Sequence, residues 1–255
     1  MRAPDFDEAF AGTAVDPSRW LQTYLPHWSA DPDATRPKAD VADGRLRLTV
    51  AADQPEWCPE FDPGVRVSNL QTSHISGPVG GGAGQHRFRD GLVVRSAVPE
   101  ARLFLMRRGR LEMQARAALA PGNLAGLWMI GVEDRPERSG EICLFEVFGD
   151  QVARDRAVIG CGIKPIADPR LTPEFDARWR SVDVAEWHEY ALDWTPDGIV
   201  FTLDGNEMHR CRQSPDYPMQ LMLNLYALPD RGASDGWFEV DRIRAWSAER
   251  EERRP

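Results

Sequence analysis

The segment Ser139-Gly140-Glu141-Ile142-Cys143-Leu144-Phe145-Glu146 places two glutamates in an otherwise apolar run. Strand interiors rarely carry two carboxylates, because burying an ionised carboxylate is costly unless it has a partner. Side chains alternate along a regular strand, so positions five apart face opposite sides of the sheet. One bulged residue, Leu144 or Phe145, would restore the parity and bring Glu141 and Glu146 onto the same face. The segment therefore predicts a bulged strand with two carboxylates in one cleft.

Two carboxylates on one face are the arrangement that retaining glycosidases use. One carboxylate attacks the anomeric carbon, and the other, about 5 to 5.5 Å away, protonates the leaving oxygen. The same spacing of Glu141 and Glu146 also fits a strand whose glutamates form ordinary surface ion pairs, since unusual carboxylates occur in structural networks as well. The spacing alone leaves both interpretations open.

The rest of the chain consists mainly of short alternating runs punctuated by Gly, Pro and Asp. These runs cover residues 45–50, 91–98, 110–119, 126–132, 141–148, 157–163, 187–194, 198–203, 219–228 and 238–246. Such a density of strands predicts an all-β, antiparallel β-sandwich or barrel. The one helix signal is Thr172-Pro173-Glu174, where an N-cap residue, a proline and an acidic residue precede Arg178. We therefore expect one short helix in an otherwise all-β chain.

Length and composition are typical of a single soluble globular domain. The chain has 255 residues, of which 42% are hydrophobic and 28% charged, and single all-β sandwiches reach this size. We place the domain at residues 1–247 and assign residues 248–255 to a charged, solvated tail. The formal charge of -9 argues against a nucleic-acid partner, because a phosphate backbone requires a basic surface.

Cysteines, histidines and the amino-terminal residues argue against several further classes. The cysteines form no CxxC pair and are expected to be free buried thiols: Cys58, Cys143, Cys161 and Cys211. The histidines show no metal-ligand spacing, so we expect no zinc site. Residues 1–10 are acidic and lack an apolar segment, and no stretch approaches the roughly 18 apolar residues of a membrane span. We expect a cytoplasmic protein without a membrane span, or a secreted one whose leader has been removed.

Motifs spread along nearly the whole chain carry a family resemblance. Phe6-Asp7-Glu8-Ala9-Phe10, followed by Trp20, is similar to an opening DEF…W. Gly109-Arg110-Leu111-Glu112 is similar to YGRFE, and Leu127-Trp128-Met129 to FWM. Residues 139–146 are similar to the bulged signature GEIDxxE.

Two later segments continue the same order. Residues 187–205 match FHxYxxxWTPDxIxFxxDG, and residues 240–244 match VDYVRV. With the earlier motifs, they make the chain resemble glycoside hydrolase family 16, the β-jelly-roll endoglycosidases that include laminarinases, agarases and carrageenases. The resemblance implies a concanavalin-like jelly roll and a retaining, endo-acting β-glycosidase that requires no cofactor. We expect a monomer that acts on a polysaccharide or oligosaccharide.

The resemblance also implies roles for individual residues, with Glu141 as the nucleophile and Glu146 as the acid/base. The residue between them is normally an aspartate that tunes the pair, and here it is Cys143. A neutral thiol lacks the like charge that would raise a neighbouring carboxyl pKa, and a thiol buried in a strand is inert by default. Lys164 stands where family members often present a histidine. Close to Glu146 it would favour the ionised carboxylate, which opposes a general acid, whereas the alternative is a solvated lysine before Pro165.

Aromatic side chains and one loop are candidates for contacts with sugar. By its place in the family motif, Trp128 is the first candidate, and Trp57 and Trp179 on less regular segments follow. His86 comes directly after the glycine-rich residues 77–84, a segment that could rim a cleft. Core packing of the tryptophans and a plain surface loop are the corresponding alternatives.

Two further implications concern specificity and metal binding. The extra tryptophan that the family usually has shortly before FWM is Leu124 here. Many relatives carry a calcium ion, and the matching positions would lie near Glu8, Gly44 and Asp241. Carboxylate and backbone oxygens suit calcium. If this ion is present, we expect it to be structural.

Two alternative functions share this fold. The first is a carbohydrate-binding protein that is catalytically weak or inactive because Cys143 and Lys164 spoil the acid/base. The second is a transglycosylase that transfers the glycosyl intermediate to a sugar instead of water. The fold alone does not decide between these functions.

Overall fold

The computed structural model describes residues 2–135, 137–229 and 235–248, and its regular secondary structure is almost entirely strand. The strands are β1 Phe6–Glu8, β2 Lys38–Ala42, β3 Arg45–Thr49, β4 Arg66–Gln71, β5 Ser73–His74, β6 Ala101–Arg102, β7 Gly109–Ala118, β8 Asn123–Gly131, β9 Glu141–Phe148, β10 Val152–Ala153, β11 Arg156–Lys164, β12 Glu174–Arg180, β13 His188–Thr195, β14 Gly198–Leu203, β15 Asn206–Cys211, β16 Met219–Ala227 and β17 Trp237–Ser247. Short 3-10 helices span Pro26–Trp28, Pro32–Thr35 and Gly149–Gln151.

Two antiparallel sheets pack face to face. The first, which we call the support sheet, has the strand order β15-β14-β13-β7-β17-β3-β2, and β1 pairs with β17. The second, which we call the site sheet, has the order β10-β11-β9-β8-β16-β4, and β12 pairs with β11. Strands distant in sequence are neighbours in both sheets, as in a jelly roll. The predicted antiparallel jelly-roll sandwich is confirmed.

The main core lies between the inner faces of the two sheets. On β7 of the support sheet, alternate residues such as Leu111 and Met113 are completely buried. On β9 of the site sheet, the Phe145 ring lies 4.6 Å from the ring of Tyr190 and 5.4 Å from that of Phe238, between ring centroids. These aromatic contacts from both sheets hold β9 down on the core.

A second apolar cluster lies on the outer face of the site sheet. It consists of Tyr24, Leu25, Trp28, Trp57, Cys58, Val65, Val67, Leu92, Val94, Trp128, Ile130, Cys143 and Met222. Irregular segments from the first hundred residues thus cover the part of this face that β4, β16 and β8 form. On the other part, which β9, β11 and β12 form, Trp179 is 51% exposed.

Two predicted elements are wrong. The helix expected from Thr172 does not form, because residues 174–180 are strand β12 and pair with β11 from Ile163 to Ala157. This continuous pairing outweighs a local capping signal. Residues 91–98 form no strand either. Leu92 and Val94 are nevertheless buried in the second cluster, so an irregular chain with alternating burial imitated the strand pattern.

Other expectations concern thiols, the membrane and the tail. The four cysteines are confirmed as free and buried. Within the described residues, no helix is long and apolar enough to cross a membrane. Of the predicted charged tail, residues 249–255 lie outside the described residues.

Candidate active site

A β-bulge in β9 sets the geometry of the site. Against β8, Phe145 pairs with Leu127, and the next pair along is Cys143 with Trp128. Leu144 is therefore the extra residue. Both Leu144 and Phe145 point into the main core, so the alternation restarts beyond them. The bulge that the sequence predicts at residue 144 or 145 is confirmed.

The bulge brings Glu141, Cys143 and Glu146 together on the outer face of the site sheet. One oxygen of each carboxylate and the sulfur of Cys143 all lie within 4.8 Å of one another. Glu141 is only 5% exposed, whereas the side chain of Glu146 is 21% exposed. The two carboxylates therefore share one face of the sheet and differ in how far they are exposed to solvent.

Lys164 lies between the two carboxylates. Its Nζ is 3.0 Å from Glu141 Oε1 and donates a hydrogen bond of 2.7 Å to Glu146 Oε2. The amine also lies 4.6 Å from the ring centroid of Phe175 on β12. The register of β11 against β9 places Lys164 opposite Glu141. Of the two interpretations of this residue, the structure shows the lysine in the site and not in solvent.

Burial and the shared lysine act against each other on the ionisation of the site. Burial raises the pKa of Glu141, and the nearby Lys164 opposes that rise. Burial alone would lower the pKa of Lys164, but Glu141 and the other acidic groups around it raise that pKa above its ordinary value. Burial also raises the pKa of Cys143 far above its ordinary value, so its thiol is neutral.

Two glycines on β11 leave room beside the glutamates. Gly160 pairs with Glu146, and a Cβ at this position would lie 2.8 Å from the Phe175 ring. Gly162 has a φ of +137°, and a Cβ there would lie 2.2 Å from the Glu174 carbonyl oxygen. Glycine at these positions therefore allows Phe175 to lie over β11, next to Lys164.

Trp128 and His86 flank the glutamates on the β8 side. Trp128 Nε1 donates a 2.6 Å hydrogen bond to Asn224 Oδ1, and Asn224 Nδ2 donates one of 2.9 Å to Asn69 Oδ1. This amide chain fixes the indole beside Cys143, with which Trp128 pairs. The His86 ring lies 5.0 Å from the Trp128 ring, between ring centroids.

His86 has an unusual backbone and an unsatisfied ring atom. Its φ is +51°, and its backbone N–H donates to the carboxylate of Glu133. The buried Nδ1 has no hydrogen-bond partner among the described residues. Burial, together with the charge of Lys164, lowers the pKa of His86 to about 4, so the imidazole beside Trp128 is neutral at neutral pH.

The other tryptophan candidates occupy contrasting places. Trp57 is 1% exposed and donates its Nε1 hydrogen to Asp62, so its ring belongs to the second cluster. Trp179 stands on the exposed edge strand β12. Phe175, Asn69 and Asn224 lie at the site but were not predicted as site residues. An amide in the middle of the apolar strand β16 was the available signal for Asn224.

The residues proposed for calcium lie on the support sheet and are engaged by protein groups. The Glu8 carboxylate accepts hydrogen bonds from the Phe10 backbone and from Trp20 Nε1, at 2.8 and 3.1 Å. Asp241 lies 3.7 Å from Arg45. Oxygens held by these donors are poorly matched to the oxygen-rich shell of calcium. The calcium ion stays a prediction.

Comparisons with known proteins assign the chain to a family. The family model for Glycosyl hydrolases family 16 matches residues 101–244, a range that contains both glutamates and Lys164. The chain belongs to glycosyl hydrolase family 16, as the motif order predicts. No curated protein matches the chain significantly.

Solved structures match over nearly the whole chain. The GlcNAcα1-4Gal releasing endo-β-galactosidase from Clostridium perfringens is 27% identical with a TM-score of 0.84, and the match covers 96% of this chain and 62% of that one. The laminarinase catalytic domain from Thermotoga petrophila RKU-1 is 16% identical with a TM-score of 0.63, and the match covers 94% of this chain and 96% of that one. A laminarinase from Flavobacterium sp. UMI-01 is 15% identical with a TM-score of 0.65, covering 96% and 100%. The laminarinases support the fold alone.

Proposed function

We propose that this protein is a retaining, endo-acting β-glycosidase that hydrolyses an oligosaccharide or polysaccharide. The observation that carries the proposal is the bulge, which puts the carboxylates of Glu141 and Glu146 on one face within 4.8 Å. In the first step Glu141 attacks the anomeric carbon while a proton passes from Glu146 to the leaving oxygen. In the second step Glu146 takes a proton from the water that releases the sugar from Glu141.

Burial and charge support this division of roles. Glu141 is the more buried carboxyl, and an uncompensated carboxyl there would remain protonated and unable to attack. Lys164, at 3.0 Å, supplies a positive charge that favours the ionised form of Glu141 and opposes the effect of burial. Glu146 is more exposed, so water and the leaving group can reach it.

The match to the endo-β-galactosidase supports a glycan with β-linked galactose as the first substrate class to test. That structure is the more similar of the two kinds, at 27% identity over 96% of this chain. We infer that Trp128 stacks against the sugar next to Glu141 and that His86 forms a hydrogen bond with a hydroxyl through Nδ1. An unpartnered buried ring nitrogen is costly unless a ligand completes its hydrogen bonding.

A glycan panel tests the proposal. Poly-N-acetyllactosamine, agarose, κ-carrageenan and laminarin oligosaccharides would be incubated with the protein, and new reducing ends would be measured. We expect internal cleavage of at least one β-galactoside, with a β-configured first product in proton NMR spectra. An α-configured first product, or stepwise release of single terminal sugars, would contradict the proposal.

A second candidate function is a carbohydrate-binding protein with little or no turnover. The hydrogen bond of 2.7 Å from Lys164 to Glu146 Oε2 favours it, because this oxygen accepts from the lysine and is not free to donate a proton to a leaving group. Calorimetric titration of the same oligosaccharides separates the two candidates. Tight binding without new reducing ends for any glycan would establish the binding protein, and products longer than the substrate would identify a transglycosylase.

A further inference from the structure

A row of partly exposed apolar side chains crosses the outer face of the site sheet beside the glutamates. This apolar row consists of Tyr226, Leu124, Phe148, Val158 and Trp179. Within it, Tyr226 pairs with Leu124, Leu124 with Phe148, and Val158 with Trp179. Phe148 follows Glu146 by two residues, so the row lies on the same face as Glu146. A glycan that crosses the strands at Glu146 would run alongside this row.

Trp179 ends the apolar row on the edge strand β12. It is 51% exposed and is the one exposed Phe, Tyr or Trp among the described residues. Two strand spacings and two residues separate it from Glu146, a distance of about 12 Å. A sugar on this indole would therefore be an outer residue of a longer glycan, beyond the sugars at the glutamates. Aromatic surfaces of this kind stack against amphipathic ligands.

Arg156 supplies a charge at the same place. Its Cζ lies 5.0 Å from the centroid of the Trp179 ring, and it is exposed. In the described part of the chain, Arg156 forms no ion pair with a carboxylate. The arginines on the opposite face of β12 differ, since Arg178 and Arg180 both pair with Asp176. A guanidinium group without an acidic partner, in a chain of net charge -9, is available to an anion from outside the protein.

We propose that Trp179 and Arg156 form an outer glycan subsite for an acidic sugar. The indole stacks on the pyranose ring, and the guanidinium binds a carboxylate or a sulfate on the same sugar. This inference rests on the proposed function, since the apolar row connects the subsite to the glutamates. It narrows the substrate to an oligosaccharide long enough to reach β12 and acidic at that end.

Binding and turnover of defined oligosaccharides test the subsite. The probes are a poly-N-acetyllactosamine disaccharide and three octasaccharides: neutral, sulfated, and capped with sialic acid. The proteins are the wild type, Trp179→Ala, Trp179→Phe and Arg156→Gln. Arg45→Gln is the matched control, because Arg45 also lies over an indole but stands on β3 of the support sheet. Its Cζ is 5.3 Å from the centroid of the Trp187 ring.

We expect the octasaccharides to separate the variants. Trp179→Ala should raise the Kd of every octasaccharide about tenfold and the Kd of the disaccharide less than twofold. Trp179→Phe should keep most of the affinity. Arg156→Gln should raise the Kd of the acidic octasaccharides alone, again about tenfold. Whether the sulfated or the sialylated probe loses more identifies the anion. Arg45→Gln should change none of these values.

Two different failures can be told apart. A wild-type protein that cleaves the octasaccharides, with Trp179→Ala and Arg156→Gln behaving like it, would overturn the subsite and leave the proposed function standing. A wild-type protein that neither binds nor cleaves any probe would overturn the acidic glycan and count against the proposed β-galactoside substrate as well. Thermal unfolding of each variant shows whether the fold is intact.

Discussion

Buried carboxylates on the outer faces of the two sheets differ in the number of cationic groups that pair with them. On the support sheet, Glu239 is 6% exposed and accepts hydrogen bonds of 2.7 Å from both Arg47 and Arg116. Burial acts to raise the pKa of Glu239, but these hydrogen bonds hold it below its ordinary value. On the site sheet, two carboxylates share the single ammonium group of Lys164.

The number of cationic partners differs between Glu239 and the carboxylates of the site sheet. Glu239 has two guanidinium groups to itself, so its burial is compensated and its ionised form is favoured. Glu141 is buried to the same degree, but it shares one cation, Lys164, with Glu146. The pKa of Glu141 is raised. Carboxylates with perturbed pKa values are concentrated at functional sites and also occur in structural ion-pair networks.

The largest expected effect is the loss of turnover in Glu141→Gln. The amide keeps the shape of the side chain but cannot form the glycosyl intermediate, so turnover should fall about 10⁴-fold or more. Oligosaccharide binding and the thermal unfolding midpoint should change little. Reducing-end release and calorimetric titration measure the two quantities. Undiminished turnover would exclude Glu141 as the nucleophile.

Next in size is the effect of Lys164→Met on the acid limb of the kcat/KM profile. Lys164 opposes the rise in the pKa of the buried Glu141, so its removal should move the acid limb upward by about 1 to 3 pH units. Lys38→Met is the matched control, because Lys38 is the only other lysine and pairs with the exposed Asp53. An acid limb that stays in place in Lys164→Met would mean that the lysine does not hold the nucleophile ionised.

On the support sheet, the corresponding change Glu239→Gln should cost stability instead of activity. Removing the charge between Arg47 and Arg116 should lower the free energy of unfolding at pH 7 by about 1 to 3 kcal/mol. The pKa of Glu239 is lowered by folding, so its stabilisation is present above the ordinary carboxyl pKa and is lost as pH falls through the folded value. The difference from the wild type should therefore shrink in acid. Urea unfolding, with the exposed Glu186→Gln as control, measures it; an activity loss in Glu239→Gln at full stability would break the comparison.

The smallest expected effect is that of Cys143→Asp. A carboxylate at this position adds a like charge between the glutamates and makes the acid hold its proton more tightly, so the alkaline limb should move upward by about 1 pH unit. Cys143→Ser, which stays neutral, should leave the limb unchanged. An unshifted limb in a folded Cys143→Asp protein would show that this position does not tune the site.

Local signals predicted what depends on neighbouring residues. Strands β9 and β14 occur at the bounds that their alternation indicates, 141–148 and 198–203, and the bulge follows from the parity of Glu141 and Glu146. The residues of β12 gave a helix signal, because its strand form exists only through pairing with β11. The residues of β12 alone do not indicate that β11 is its partner strand.

Site residues contributed from distant segments were harder to predict. Lys164 lies near both glutamates because β9 carries its extra residue opposite the step from Gly160 to Gly162 of β11. Trp57 is buried because the segment around it folds over the outer face of the site sheet. His86 contacts Trp128 from a left-handed backbone. Each of these positions depends on a long-range contact, which composition and motif spacing do not indicate.

The bulge at Leu144 also limits how this protein can change over evolutionary time. The spacing of Glu141 and Glu146 is set by the hydrogen-bond ladders of β9 with β8 and β11, and not by a loop. Insertions and substitutions in the surrounding segments can alter which sugar is held, but they leave that spacing intact. A descendant with carboxyl groups about 6.5 to 9.5 Å apart, as inversion needs, would have to slide a central strand past two neighbours at once. Substrate choice can therefore drift in this fold while the spacing of the two carboxylates is inherited with the sheet.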